Sequence, residues 1–212
     1  MTKIHEETIP LFPLNGVVMF PNTYLPLNVF ETRYLKMINH VIASENRLVG
    51  IIQPDRSNKE KTDKNLYQVG CAGKIIKFEE TENKTYLITL KGLSRFRYIR
   101  DTTNQDNFRI ASVNWKDFVQ DFQEDKMIKN FNELKITLKK FFRTRNIEVN
   151  NEAIDMCKDY NLVDQIIMIC PLNSAEKQVL LETLSLSQRY ILLNSILEGY
   201  NNEANISKII KH

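Results

Sequence analysis

The chain has 212 residues, 42% of them hydrophobic and 26% charged, a balance that builds one large or two modest globular units and argues against a disordered or fibrous protein. Its three cysteines, Cys71, Cys157 and Cys170, are odd in number and contain no CxxC pair, which argues against a disulfide framework and a zinc site and fits reduced thiols in a cytoplasmic protein. The net charge of +3 is small for a chain that binds a polyanion.

The opening MTKIHEET lacks the order of a signal peptide, and no run approaches the roughly 18 consecutive apolar residues of a membrane span. No membrane partner is expected. The first folded stretch, residues 9–34, reads IPLFPLNGVVMFPNTYLPLNVFETRY and holds four of the six prolines among large apolar side chains. Proline lacks an N–H donor and is confined to edge strands, strand starts and turns, so IPLFPL and FPNTYLPL are expected to be extended segments at the rim or seam of a β unit. VVMF is a further β-type run. Most of Leu11, Phe12, Leu14, Phe20, Leu25, Leu27 and Phe30 should be core, each worth about 1.5–3 kcal/mol if buried. Any that stay exposed would leave a patch that attracts other polypeptides.

One helix is expected over residues 31–44, where Tyr34, Met37, Ile38, Val41 and Ile42 recur at three- and four-residue steps. Asn28 with Glu31 is a candidate capping pair for it. RLVGIIQ then reads as a strand. PDRSNKEKTDKN, residues 54–65, has no aliphatic side chain and reads as a solvated surface loop. VGCAGKIIKF and TYLITLKGL read as strands flanking a turn at residues 79–85, with Asn83 placed to take positive φ. In SRFRYIR, period-two alternation puts Phe96 and Tyr98 on one face and Arg95 and Arg97 on the other. The aromatics are expected inward and the arginines outward, paired or solvated. FRIASVNW completes the strands. Such short runs at even spacing suggest a small sandwich or barrel.

Near residue 118 the apolar period changes. Met127, Phe131, Leu134, Leu138 and Phe141 mark the seam of a long helix. Shorter helices are expected over residues 152–158 and 162–169. NSAEKQVLLETL and SQRYILLNSILEGY follow, the first opened by an Asn173/Glu176 capping box and the last stopped near Gly199. Residues 1–117 are therefore expected to form a β subdomain and residues 118–212 an α-helical one. The first holds 17 Lys and Arg against 13 Asp and Glu, a slight basic excess. The four cations of KKFFRTRN, residues 139–146, suit the carboxyl end of a helix without a ligand.

PLFPLNGVVMFPNTYLPLNVFETRYLKMI, LYQVG (residues 66–70), KGLSRF (residues 91–96) and PLNSAEKQVLLETLSLSQRYILLNSIL together resemble the amino-terminal substrate-binding domain of Lon proteases, a domain also seen in cereblon. The motifs come in the family's order and cover nearly the whole chain. The resemblance implies an α+β fold, a PUA-like β pseudo-barrel followed by an α-helical bundle, and a protein that binds polypeptides.

No ATPase or peptidase signature accompanies it. GCAGKI, residues 70–75, lacks the GxxxxGK[ST] spacing and the hydroxyl of a P-loop, and the scattered His5, His40 and His212 suggest no metal site. No enzyme activity, cofactor or metal is expected. The cysteines read as small buried hydrophobes.

The expected function is a non-catalytic module that binds unfolded or exposed apolar segments of other proteins, an adaptor in protein quality control. Its partners would be unfolded or damaged polypeptides and a Lon-type ATP-dependent protease, and its state a monomer or weak homodimer. The expected contact surface is the barrel rim at Pro13, Leu14, Pro21, Pro26 and Leu27. The alternative is an RNA-binding PUA-like module with Arg95 and Arg97 as anion contacts.

Overall fold

In the computed structural model, which describes residues 7–55, 66–122, 131–156 and 162–209, the chain is an α+β protein. Six strands, β1 (Thr8–Pro13), β2 (Tyr24–Val29), β3 (Leu48–Ile52), β4 (Val69–Glu80), β5 (Tyr86–Thr103) and β6 (Arg109–Asn114), form one sheet in the order β2-β5-β4-β3-β1-β6. The 18-residue β5 makes closure feasible: its first half pairs with β2 and β4, and its second half pairs with β6, turning the sheet into a near-barrel. Helix α1 (Thr32–Ala43) interrupts the strands, and a 3₁₀ segment (Lys116–Phe122) leads into α2 (Asn132–Thr144), α3 (Asn151–Met156), α4 (Leu162–Ile169), α5 (Ser174–Glu182) and α6 (Leu186–Ile209).

Proline governs how β1 is used. The strand is internal, but its two neighbours share it: β6 pairs with residues Thr8 to Leu11 and β3 with Leu11 to Pro13. Neither ladder runs the full length of a strand containing Pro10 and Pro13, which is the seam expected of a segment missing two donors. β2 occupies the rim instead, with β5 as its one strand partner among the described residues.

The core falls into two clusters. One, inside the sheet, gathers Ile9, Leu11, Leu48, Ile52, Phe96, Ala111 and Val113. The other joins α1 and the opposite sheet face to Phe118 and to the buried stripes of α2, α4, α5 and α6. Two motif glycines permit this packing. A Cβ on Gly70 would lie 2.5 Å from the ring of Phe96, its cross-strand partner, and one on Gly92 would lie 2.1 Å from the carbonyl oxygen of Phe20.

Several local expectations change. Val17–Phe20 is buried, apart from half-buried Val17, but forms no strand. Asn28 lies in β2, and Glu31 caps α1 without a side-chain bond, because the strand holds Asn28 too far back to fold over the first turn. Positive φ falls on Lys84 instead of Asn83. Helix α6 continues through Gly199 to Ile209. In contrast, the Asn173/Glu176 capping box forms with both bonds at 2.9 Å. Residues 56–65 of the polar loop, Met127, Cys157, His5 and His212 lie outside the described residues.

Candidate functional site

The fate of the two strand arginines shows which surfaces are closed. Arg95 and Phe96 do project to opposite faces of β5, but the face that takes Arg95 is covered by the 3₁₀ segment and the turn between α5 and α6. Arg95 is 1% exposed. Its Nε and Nη2 grip Asp121 at 2.9 and 2.7 Å, Nη1 donates to the carbonyls of Leu181 and Thr183, and Nη2 donates to that of Leu184. All five guanidinium N–H groups are thus engaged. These carbonyls close the carboxyl end of α5, where backbone acceptors have no intrahelical partner and a cation is favoured. Arg189 completes the arrangement, bonding Asp164 at 2.5 Å and the Leu180 carbonyl at 3.1 Å.

The expectation of an outward Arg95 available to an anion is therefore corrected: it is a buried strut between sheet and helices. Arg97, half-exposed, pairs with Asp117 at 2.7 Å. The 3₁₀ segment, kinked at Phe118, thus supplies a carboxylate to each arginine, Asp117 before the kink and Asp121 after it.

The rim opens where β2, β5 and β4 run side by side. There a cleft of about 690 Å³ is lined by Pro26, Leu27, Ile76, Phe78 and Leu87, with Lys77 and Glu79 at its margin. Alternation and a bulge explain two of its lining residues, Leu87 and Ile76. On β5, Ile88 and Leu90 turn into the core, which sends Leu87 outward, where it is 42% exposed. On β4 the register shifts between Ile75 and Lys77, and the extra residue, Ile76, is left 44% exposed. A bulge of this kind re-aims a side chain at the cost of one ladder step. Phe78 is equally exposed and meets Tyr86 edge-on, with centroids 4.9 Å apart. Tyr24 and Phe30 add two further uncovered rings at the ends of β2.

Of the five rim residues expected from sequence, Pro26 and Leu27 line this cleft. Pro13 and Leu14 are half-buried and do not line it, and the Leu14 amide bonds the Ile52 carbonyl at 3.0 Å. Pro21 is buried where Gly92 passes under Phe20 and Pro21, so it offers no contact surface. Phe30, expected in the core, is exposed. Ile76, Phe78 and Leu87 were not singled out from sequence. The signal for Leu87 was present: in TYLITL it is the apolar residue on the strand's polar parity.

A second concavity of about 940 Å³ lies beside α2, lined by Ile136, Lys139, Lys140, Arg143, Ile147 and Val149. It is cationic where the rim cleft is nearly neutral. Among the described residues no three His, Cys, Asp or Glu side chains cluster as a metal site would require. Burial pushes the Cys71 thiol well up and that of Cys170 to about 12, so neither carries a nucleophilic thiolate near neutrality. Residues 70–75, the nearest match to a P-loop, lie within β4 and form no phosphate cradle. No helix among the described residues is long and apolar enough to cross a membrane.

Comparison with known proteins agrees with the fold. Residues 8–199 match the model of the ATP-dependent protease La (LON) substrate-binding domain. A Lon protease from Buchnera aphidicola is 26% identical over 208 residues, covering 97% of this chain and 26% of its own. The chain thus spans about a quarter of the length of such relatives. Among solved structures, a Lon N-terminal domain protein from Xanthomonas campestris superposes with a TM-score of 0.64 at 19% identity, covering 89% of this chain and 97% of its own. The N-terminal domain of a Mycobacterium avium complex Lon protease gives 0.61 at 15% identity over 92% of this chain and 98% of its own. With the family model matched from the first strand into the last helix, the chain belongs to the Lon substrate-binding domain family.

Proposed function

We propose that this chain is a non-catalytic polypeptide-binding module that captures unfolded or apolar segments of other proteins at the β2–β5–β4 cleft, acting as an adaptor in protein quality control. The observation that carries the reading is that Ile76, Phe78 and Leu87, all lining the cleft beside the proline-bearing rim strand, are uncovered. Three large apolar groups left over 40% exposed in one concavity form the kind of patch that marks an interaction surface. Burial of such groups under a client is favourable in proportion to area and needs no matching charge. A Lon-type protease is the natural recipient of what the module holds.

Salt dependence tests the driving force. Reduced, carboxymethylated lysozyme titrated into the labelled chain should shift the amides of residues 76–78 and 87–89, with affinity unchanged or stronger as sodium sulfate is added. Binding of RNA that weakens steeply with salt, with no response to the unfolded probe, would replace polypeptide capture by nucleic-acid binding.

A further inference from the structure

Strand β2, YLPLNV, bonds β5 and, among the described residues, no other strand, and the ladder determines which of its backbone groups face outward. The Gly92 amide donates to the Thr23 carbonyl at 2.9 Å, one step before the Tyr24/Lys91 pair. Bonded and non-bonded pairs alternate in an antiparallel ladder, so Leu25, Leu27 and Val29 exchange bonds with β5, while Tyr24, Pro26 and Asn28 turn their backbone groups away. Proline sits where the ladder asks for no donor. The free edge therefore offers the N–H groups of Tyr24 and Asn28 and the carbonyls of Tyr24, Pro26 and Asn28. Among the described residues none of these groups has a hydrogen-bond partner. The same three residues are the exposed ones of the strand, Tyr24 by 57%.

Natural edge strands are usually blunted by charge, most often lysine, or by being covered. β2 has no charged residue, and Pro26 is its one device against pairing. It removes a single donor and leaves the flanking ones. That combination excludes continuous sheet growth yet allows a short strand to dock, with Pro26 and Leu27 belonging at once to the edge and to the apolar cleft.

We propose that β2 is a docking strand: a client enters as an extended, uncharged segment, pairs antiparallel with the free edge through Tyr24 and Asn28, and lays alternate side chains toward the cleft. The inference rests on the polypeptide-capture reading and names its substrate class, a segment whose backbone is not already bonded within itself. Main-chain bonds supply sequence-tolerant affinity, and the cleft selects β-branched or aromatic groups at every second position. A helical segment of the same composition has no free donors to give.

Amide hydrogen exchange of the whole 212-residue chain, with and without reduced, carboxymethylated lysozyme, tests this directly. Tyr24 and Asn28 amides should exchange at least about tenfold more slowly in the complex, whereas solvent-facing amides outside the site should not change. Asn28→Pro, which removes an outward donor and leaves the β5 ladder intact, should weaken binding by about tenfold or more, and Asn28→Ala should not. If Asn28→Pro does not fold, the exchange result on the unmodified chain decides. Binding that is abolished by Leu87→Asp but leaves Tyr24 and Asn28 exchange unchanged would overturn strand docking and retain apolar capture. No binding of the probe at all would remove both. Protection of the two amides that rises with protein concentration in the absence of probe would assign the edge to a second copy of this chain and overturn the proposal.

Discussion

Arg95 is the residue on which the joint between sheet and helices turns. Removing its side chain leaves Asp121, 7% exposed, without its ion-pair partner and strips donors from three carbonyls at the end of α5. Breaking a buried pair from one side costs about 3–5 kcal/mol, so Arg95→Ala should lower the urea unfolding free energy by that much. Arg95→Lys should recover less than half, since an ammonium has three donors and no planar fork. An Arg95→Ala variant within about 1 kcal/mol of the parent would show the network is not a strut. The cysteines give a second residue-scale expectation. At about pH 8.5, where a free thiol is half ionised, raised pKa values and burial should keep Cys71 and Cys170 from alkylation by iodoacetamide until the chain is unfolded in urea. Peptide mapping of the modified sites reads this out. Sequence alternation correctly separated Arg95 from Phe96. It could not say that a segment 26 residues later would cover the arginine's face, because that depends on tertiary packing.

At the scale of elements, the prolines proved the most readable feature. They demand segments with few ladder bonds, and β1 and β2 meet that demand differently, one shared between two neighbours and the other at the rim. The stripe of α1, the Leu134, Leu138 and Phe141 part of the expected α2 seam and the capping box of α5 were equally legible, because each is set by neighbours within four residues, whereas Phe131 caps the helix instead of lying within it. What escaped were features set across strands. The bulge that exposes Ile76 is a relation between β4 and β5, and nothing in KIIKF alone marks it. Gly199 illustrates the converse: a local stop signal is overridden where the helix keeps a partner beyond it, here α2, to whose Thr137 carbonyl Asn201 donates at 3.2 Å. Gly92 carries a sharper expectation. A methyl group there would lie 2.1 Å from the Phe20 carbonyl oxygen, backbone that cannot rotate away. Gly92→Ala should therefore cost about 1–3 kcal/mol through forced displacement of β5 from the Phe20–Pro21 turn. Thermal unfolding measures it, and an unchanged midpoint would mean that the turn yields freely.

Across the whole molecule, the large core cluster runs from α1 and the sheet into the helices without a break, and the Arg95 network crosses the same boundary. Residues 1–117 and 118–212 are therefore proposed as two subdomains of one cooperative unit. Helices cover the sheet face that carries Arg95, while the cleft between β2 and β4 remains open, so the proposed capture surface lies at the end of β5 farthest from the β6 pairing. Fold class and family were legible because several separated motifs agree in order. Of the proposed site, the residues Pro26 and Leu27 line the cleft and Pro21 is buried, while the outward placement of Ile76 and Leu87 depends on a bulge and a sheet register that no single strand's sequence marks. Capture at the cleft is tested by comparing the parent with an Ile76→Asp/Leu87→Asp double variant for binding of reduced, carboxymethylated lysozyme, with urea unfolding of both as control. The double variant should lose at least about tenfold in affinity with an unfolding midpoint little changed, because both side chains are already over 40% exposed. Equal affinity in a folded double variant would contradict capture at the cleft.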